Sequence, residues 1–490
     1  MEGGVLESIP YAQKAANVCS YCRVRKQKCD RNLPKCSRCA GLGRICDYSP
    51  YKPPAPASEE IQPLVLHHQS YQSAELSSRG KIELLQNISA CTDPFELVDP
   101  ETVRLWGLIE RILNLAEFDL TSALREFASG MHKWCPVLDE NMLPDGDNDL
   151  SKNARRHPLF TLCMWFVATS IGVTEVYRAM KHIFVALQTD FEIRVEAVQI
   201  GVLIAMYEVS HGLQAQANYT VSTCAIMVQY LEPASPPDSA HGQAYMLKRL
   251  KSSLLRLDRV NHLLAPTQHQ PLSIPSTHPI PTSLTQNLGP LPPIAEFEFA
   301  SSPRTHFFRT LVSVVSGRVY TYIHARSHGM TPAESYEDVN GAIHDIIGML
   351  DGGPPADKAL QCASYPMLVC SHILLQYIEH QVHTHTGRDE GFPDISFVAA
   401  GLQLSRVMVW NMLRVAIRMV RTESDVIRIP FAALCAVLRG AIVVLETRRT
   451  DQEDVVTEED VTGLKRVLNW FTGRWGIGGA YLVRIEQLLV

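Results

Sequence analysis

No stretch of this 490-residue sequence is long and apolar enough to span a bilayer. The longest largely apolar run, about Leu159 to Val173, falls short of the ~18–20 residues a spanning helix needs, so no membrane partner is expected. The start, Met1-Glu2-Gly3-Gly4, has neither the basic nor the apolar region of a secretory leader. The chain is therefore expected in a reducing compartment, where its 13 cysteines serve as thiols or metal ligands rather than as disulfides. The triplets Asn87-Ile88-Ser89 and Asn218-Tyr219-Thr220 then carry no weight as glycosylation sites. Also missing are a G-x-S-x-G elbow, a P-loop, a G-x-G-x-x-G turn and an H-E-x-x-H helix, so no enzyme is expected. Val/Ile alternation between hairpin turns is absent, and with it the expectation of much sheet. No repeat of fixed period occurs. What is present is 46% hydrophobic and 20% charged, a balance that excludes wholesale disorder and fibrous repeats.

Charge is unevenly placed. Residues 14–50 carry nine cations (Lys14, Arg23, Arg25, Lys26, Lys28, Arg31, Lys35, Arg38 and Arg44) against Asp30 and Asp47. That segment is +7 within a total of −6, which leaves the remainder at −13. A basic head suits a polyanion, whereas an acidic body repels one.

The organisation follows composition. Residues 1–16 read as a disordered start and 17–50 as a cysteine-rich head. Residues 51–99 read as a linker, opening with Pro53, Pro54 and Pro56 and lacking a sustained period. From 100 to 490 helical spacing dominates, beginning with Val103, Leu105, Trp106, Leu108, Ile109, Ile112 and Leu113. The stretches 157–170, 174–190, 194–211 and 215–231 are apolar on much of their surface, as helices inside a larger helical domain are. A proline-rich break spans 266–303, with nine prolines. Helices are then expected at 304–327, 336–350, 366–383, 397–421, 427–446 and 457–489. The expected fold class is thus a small cysteine-cluster domain at the N-terminus plus a large all-α domain.

Cys19, Cys22, Cys29, Cys36, Cys39 and Cys46 read C-x2-C-x6-C-x6-C-x2-C-x6-C, a CxxC and a third cysteine seven residues on, twice. Zinc takes four tetrahedral ligands and accepts thiolate well. Two such sites need eight bonds, which six sulfurs supply if two of them bridge both metals. The cofactor expected is therefore two Zn2+, and metal binding would supply most of the folding energy of so short a head. A finger with histidine ligands is excluded because residues 14–50 contain no histidine. Between Cys22 and Cys29 stand Arg23-Val24-Arg25-Lys26-Gln27-Lys28, four cations in six residues. On a short helix held by zinc they would face one polyanion, with phosphate contacts giving affinity and Arg or Lys able to read guanine O6 and N7.

Cys19 to Cys46, with Arg23-Val24-Arg25-Lys26-Gln27-Lys28-Cys29-Asp30 and Pro34 before Cys36, resembles the fungal binuclear zinc-cluster transcription factors. The resemblance implies that the first and fourth cysteines, Cys19 and Cys36, bridge the metals. One zinc would use Cys19, Cys22, Cys29 and Cys36, the other Cys19, Cys36, Cys39 and Cys46. It implies that the helix after the second cysteine enters the major groove of double-stranded DNA at CGG-type half-sites. Lys26 would then read bases with Arg25 beside it, Arg23 and Lys28 would contact phosphates, and Pro34 would set the turn between the halves. A weaker likeness to the middle homology regulatory domain of such proteins rests on His132-Lys133-Trp134-Cys135-Pro136-Val137-Leu138, Glu196 to Leu203, Tyr207-Glu208 and Leu257-Asp258-Arg259. This chain departs from it at Lys251-Ser252, where many relatives carry two tryptophans.

The resemblance implies a nuclear, sequence-specific transcription regulator that contacts the transcription machinery, and by analogy an activator of a secondary-metabolite gene cluster. A regulator, or repressor, of primary metabolism or stress genes is the alternative. A zinc-headed scaffold or enzyme acting away from DNA is the more remote one. A homodimer is weakly favoured, although residues 59–90 lack a/d spacing over three heptads. His380, His383 and His385 are read as a polar helix end rather than a metal site, and Asp258-Arg259 as a structural ion pair. Cys163, Cys224, Cys362, Cys370 and Cys435 are read as buried structural thiols, with a redox role for Cys135 the minor alternative. Glu446 to Asp460 holds seven acids in fifteen residues, which fits either a solvated loop or an acidic activation segment.

Overall fold

In the computed structural model the described residues of the cysteine-rich segment are 14–15, 17–19, 21–22, 27–42, 46 and 48. Beyond it they are 78–91, 93–95, 100–115, 120–138, 143, 156–168, 174–189, 192–231, 240–265, 270–292, 303–350, 363–386, 394–448 and 456–489. The chain divides into two units, Met1–Tyr71 and Gln72–Val490.

Among the described residues of the first unit, Tyr21 and Cys22 are helical, and a short helix, α1 (Ser37–Gly41), is started by Cys36, whose sulfur accepts from the Cys39 backbone N–H at 3.4 Å. An isolated antiparallel bridge joins Lys14 to Asn32, with Ala15 N–H donating to the Arg31 carbonyl at 2.8 Å. Arg31 has φ 61° and the Leu33–Pro34 bond is cis. Of the expected disordered start, residues 1–13 and 16 lie outside the described residues, as does most of the expected linker, whereas Lys14 and Ala15 are held by this bridge.

The second unit is helical, and among its described residues there is no strand. Its first helices are α2 (Ser78–Ala90), α3 (Pro100–Leu115), α4 (Leu120–Ser129), α5 (Met131–Trp134), α6 (Pro158–Ala168) and α7 (Thr174–Thr189). α8 (Val195–Ser210), α9 (Gln214–Leu231), α10 (Ala240–Leu264), α11 (Pro279–Gln286) and α12 (Pro303–Ser327) follow. The chain ends with α13 (Tyr336–Leu350), α14 (Ser364–Thr386), α15 (Ile395–Met419), a 3-10 turn (Glu423–Arg428), α16 (Phe431–Glu446), α17 (Glu458–Arg474) and α18 (Gly478–Leu489). Every residue of α6 is buried, as are all but Val195 and Glu196 of α8. That is why these sequences are apolar around the whole helix.

α8 packs against α6, α7, α9 and α10, and α14 packs against α12, α13, α15 and α16. α10 joins the two groups, lying against α8 and α9 as well as α11, α12 and α16. Close approach in the first group requires Gly201, where a Cβ would stand 2.6 Å from the Phe184 ring and press on the Cys224 sulfur. The middle of α10 is buried and rich in polar groups. Arg259 pairs with Asp258 and donates to the carbonyls of Ile274 at 2.8 Å and Ser313 at 3.0 Å. It lies flat on α12 at Gly317, where a Cβ would fall 2.6 Å from its guanidinium carbon. Asp258 in turn accepts from the backbone N–H groups of Ser273 and Ile274. Asp258-Arg259 is the structural ion pair that its sequence suggests.

The segments resembling the regulatory domain converge here. α5 and the residues after it dock by their carbonyls: Val137 accepts from Gln199 on α8 at 2.9 Å, and Pro136 accepts from Ser253 on α10 at 2.9 Å. Leu138 accepts from Arg249 at 2.9 Å, and Trp134 accepts from Arg256. At the position where the sequence departs from the expected resemblance, Lys251 donates to the Ser283 hydroxyl of α11 at 3.2 Å. Ser252 lies 3.3 Å from the Thr310 hydroxyl of α12. Both side chains thus meet polar partners on neighbouring helices.

Four stretches differ from the sequence expectation. The stretch read as a linker over 51–99 contains α2, which buries Leu84 and Ile88 and packs against α3 and α7. The proline-rich stretch 266–303 contains α11, because Pro279 stands at the helix start, where its missing N–H costs nothing, and Ile280 and Leu284 are buried. The expected helices 427–446 and 457–489 are each interrupted, at Ile429-Pro430 and at Trp475 to Ile477.

Candidate metal centre and nucleic-acid interface

The six cysteines of the head gather into one cluster. Cys19, Cys22, Cys36 and Cys39 are buried, and Cys29 and Cys46 half-buried. The Cys19 sulfur lies 3.9 Å from that of Cys36 and 3.8 Å from those of Cys29 and Cys39. The Cys36 sulfur lies 3.8 Å from that of Cys22 and 3.7 Å from that of Cys46. A tetrahedral site with Zn–S bonds of about 2.3 Å holds its sulfurs about 3.8 Å apart, so the donor set fits zinc. Each of these pairs falls within one of two four-thiolate sets, Cys19/Cys22/Cys29/Cys36 or Cys19/Cys36/Cys39/Cys46. The two cysteines common to both sets, Cys19 and Cys36, each approach three other sulfurs.

Local structure explains how the halves are held. Asp30, next to Cys29, reaches across to the start of α1. Its carboxylate accepts from the Ser37 backbone N–H at 3.1 Å, from the Ser37 hydroxyl, and from the Asn32 side-chain amide at 3.0 Å. The Ser37 hydroxyl, the chief cause, holds the Asp30 carboxyl below the usual carboxylate range. Tyr48 donates to the Asn32 carbonyl at 2.6 Å, closing the second half onto the same loop. The thiols differ among themselves. Burial raises Cys19 well above the ordinary thiol value. Burial also acts upward on Cys46, but the Cys36 backbone N–H, 3.3 Å from its sulfur, helps bring it down to about 7. Zinc binding displaces these protons, since only thiolates ligate.

Of the expected DNA contacts, Lys28 is exposed, as are Lys35 and Arg38 nearby. Arg23, Arg25 and Lys26 lie outside the described residues. Sequence reasoning missed the bracing role of Asp30, although its place directly after the third cysteine was visible.

Residues 17–54 match the fungal Zn(2)-Cys(6) binuclear cluster domain. The head is a fungal binuclear zinc-cluster domain. Such a domain binds two zinc ions, and the six sulfurs here are placed to hold them. Among curated proteins the chain is similar to the depudecin biosynthesis cluster-specific transcription activator DEP6 of Fusarium langsethiae. The identity is 44% over 50 residues, 10% of this chain and 8% of that protein. It is also similar to the sorbicillinoid biosynthetic cluster transcription factor sor3 of Hypocrea jecorina (strain QM6a), 37% identical over 71 residues, 14% of this chain and 10% of that protein. Transcription factor BOA15 of Botryotinia fuckeliana (strain B05.10) is 26% identical over 112 residues, 22% of this chain and 63% of that protein. The chain thus spans less than two thirds of the length of each of these relatives. No solved structure matches it.

Elsewhere, among the described residues, sets of three or more metal-ligating side chains within ligand reach of one another occur in the head alone. His380 and His383 lie near the end of α14, and the His385 side chain and Cys362 are outside the described residues. Cys135, Cys163, Cys224, Cys370 and Cys435 are fully buried. Burial pushes Cys135 up to about 11 and Cys370 up to about 12, which makes them poor nucleophiles and suits structural thiols.

Proposed function

We propose that this chain is a nuclear, sequence-specific DNA-binding transcription factor that regulates, as an activator, a secondary-metabolite biosynthetic gene cluster through CGG-type sites. The observation that carries the reading is the cluster itself: six thiols at tetrahedral zinc spacing in a segment matching the binuclear cluster domain. The gene-cluster role rests on the names of the similar proteins, several of which are cluster-specific regulators. Cys19 and Cys36 are assigned as the bridging ligands, which the three-fold crowding around each sulfur supports. Zinc orders the head. Lys26 and Arg25 then read bases while Arg23 and Lys28 neutralise phosphates. The +7 charge of residues 14–50 favours the polyanion, and the −13 of the remainder keeps the helical body away from it. The body would act as the regulatory domain and meet the transcription machinery.

The test is genome-wide occupancy of the tagged chain in its own fungus. Peaks confined to one block of adjacent biosynthetic genes and centred on CGG-type sites are expected. Peaks scattered over metabolic or stress promoters would overturn the gene-cluster role, and absence of specific peaks would overturn the DNA reading.

A further inference from the structure

Where α10, α16 and α18 meet, three buried polar groups converge without partners among the described residues. Arg439 on α16 is half-buried, and its Nε is enclosed with nothing to donate to. The Tyr481 hydroxyl of α18 and the His262 Nε2 of α10, on residues 5% and 6% exposed, are in the same condition. α16 packs against both of the other helices. The charge of Arg439 bears on Tyr481 and His262, and also on Tyr320 of α12 and Cys370 of α14. The His262 ring stacks on that of Tyr320, with centroids 4.9 Å apart. Among the described residues no carboxylate pairs with Arg439: Asp258 is taken by Arg259, Glu446 by Arg484 and Glu379 by Arg326. Its neighbours are neutral at pH 7. Burial pushes the Cys370 thiol up to about 12 and the Tyr320 and Tyr481 phenols higher still. Burial first, and then the charges of Arg259, His324 and Arg439, push His262 down to about 3. A single buried polar atom without a partner is common enough. Three of them from three helices, beside a cation that no carboxylate neutralises, form the pattern of a polar ligand site.

We propose that this cluster binds a small monocarboxylate between α10, α16 and α18. The class of ligand follows from what is unmet. One unpaired cation calls for one negative charge, which excludes amines and metal ions as occupants and disfavours a dianion. Arg439 and Tyr481 can only offer hydrogens here, and neutral His262 offers a third in its Nε2–H tautomer. A carboxylate is acceptor-only, with about four lone-pair sites on its two oxygens, so it can take all three. Its pairing with a guanidinium is also the strong, planar one. Closely packed helices leave room for few atoms beyond the carboxylate, and half-buried Arg439 gives a way in from the surface. The ligand ties α18 to α10, the helix that joins the two helical groups. The site stands apart from the DNA reading, and neither depends on the other.

The experiment is isothermal titration calorimetry of the zinc-loaded full chain at pH 7, without DNA. Sodium formate, acetate, propionate and benzoate are the probes, with sodium chloride and phosphate at matched ionic strength beside them. Saturable binding of at least one carboxylate is expected, with Kd of about 1 mM or tighter. Arg439→Gln, which removes the charge, should weaken it more than tenfold, and Tyr481→Phe, which removes only a hydroxyl, about tenfold. Circular dichroism should show wild-type helical content in both variants. The bound carboxylate should also raise Tm in the wild type and not in Arg439→Gln. If Arg439→Gln does not fold, Tyr481→Phe decides. No saturable binding of any of the four carboxylates, equal binding by Tyr481→Phe, or binding of chloride or phosphate as tight as that of the carboxylates would overturn the proposal.

Discussion

Asp460 offers the sharpest quantitative test of the helical body. It is the third residue of α17 and accepts from the Trp410 indole N–H at 2.9 Å and from Arg414 at 2.8 and 3.1 Å. It also closes a capping box with Thr457. Asp460→Asn keeps the shape and one acceptor oxygen but loses the charge and the second acceptor. A charge-assisted hydrogen bond contributes about 1.5–3 kcal/mol, and Arg414 is partly exposed and screened, so a loss of about 1–2 kcal/mol is expected. Asp460→Ala strands the buried Trp410 donor and removes the cap as well, raising the loss to about 2–4 kcal/mol. At about 2.1 cal/mol/K of unfolding entropy per residue, each kcal/mol moves the Tm of the Gln72–Val490 unit by about 1 °C, so Asp460→Asn should lower Tm by about 1–2 °C. Although burial acts upward on it, bonds from Arg414, Trp410 and Thr457 hold the Asp460 carboxyl well below the carboxylate range. The stability it contributes is therefore present above about pH 4, the unfolded value, and is lost as pH falls through the lower folded value. Thermal unfolding by circular dichroism should show the Asp460→Asn deficit in full at pH 7 and narrowing below pH ~4. An unchanged Tm at pH 7, or a deficit that persists undiminished in acid, would refute the assignment.

Other outcomes are equally direct. Cys36→Ser, removing a ligand common to both sites, should leave less than one bound zinc by metal analysis, whereas Cys46→Ser should retain one; equal stoichiometry in the two would unseat Cys36 as a bridge. Lys26→Ala should keep its zinc and fold yet lose about 1–3 kcal/mol of discrimination between a CGG site and a mutated triplet, read by competition binding. Binding that is insensitive to salt would contradict phosphate contacts by Arg23 and Lys28. Gly201→Ala, whose methyl would press on Phe184 and Cys224, should cost about 1–3 kcal/mol in denaturant unfolding; a neutral result would mean that α7 and α9 yield more easily than their packing suggests.

The head was legible because its pattern is local: ligand spacing is written directly into the chain, and zinc geometry leaves few alternatives. The large helices were legible for a different reason, since α6 and α8 are buried all round and their sequences are apolar all round. What escaped was decided at long range. α2 presents too short an apolar pattern to stand out after the prolines, and it is fixed by α3 and α7. α11 hides among prolines that a helix start tolerates. Of the acids of Glu446 to Asp460, Asp451, Glu453 and Asp454 lie outside the described residues, whereas Glu446 holds Arg484 at 2.6 Å and Asp460 holds Arg414. Glu458 and Glu459 occupy the first turn of α17, where negative charge suits the helix dipole. No local pattern announces a partner about 40 residues away.

α10 has a consequence for how the body can respond to anything that binds it. From Lys251 to Leu264 every residue is buried, and its polar groups are bonded to five different segments: Pro136, α9, Ile274, α11 and α12. A helix gripped on all sides is a spindle without play. Turning it by one residue, about 100°, would swing Arg259 off Gly317 and out of its carbonyl cradle while dragging leucines into its place. Signals therefore cannot pass between the two helical groups by rotation of this rod. They must travel by tilting it whole, with its collar of carbonyls, or go around it.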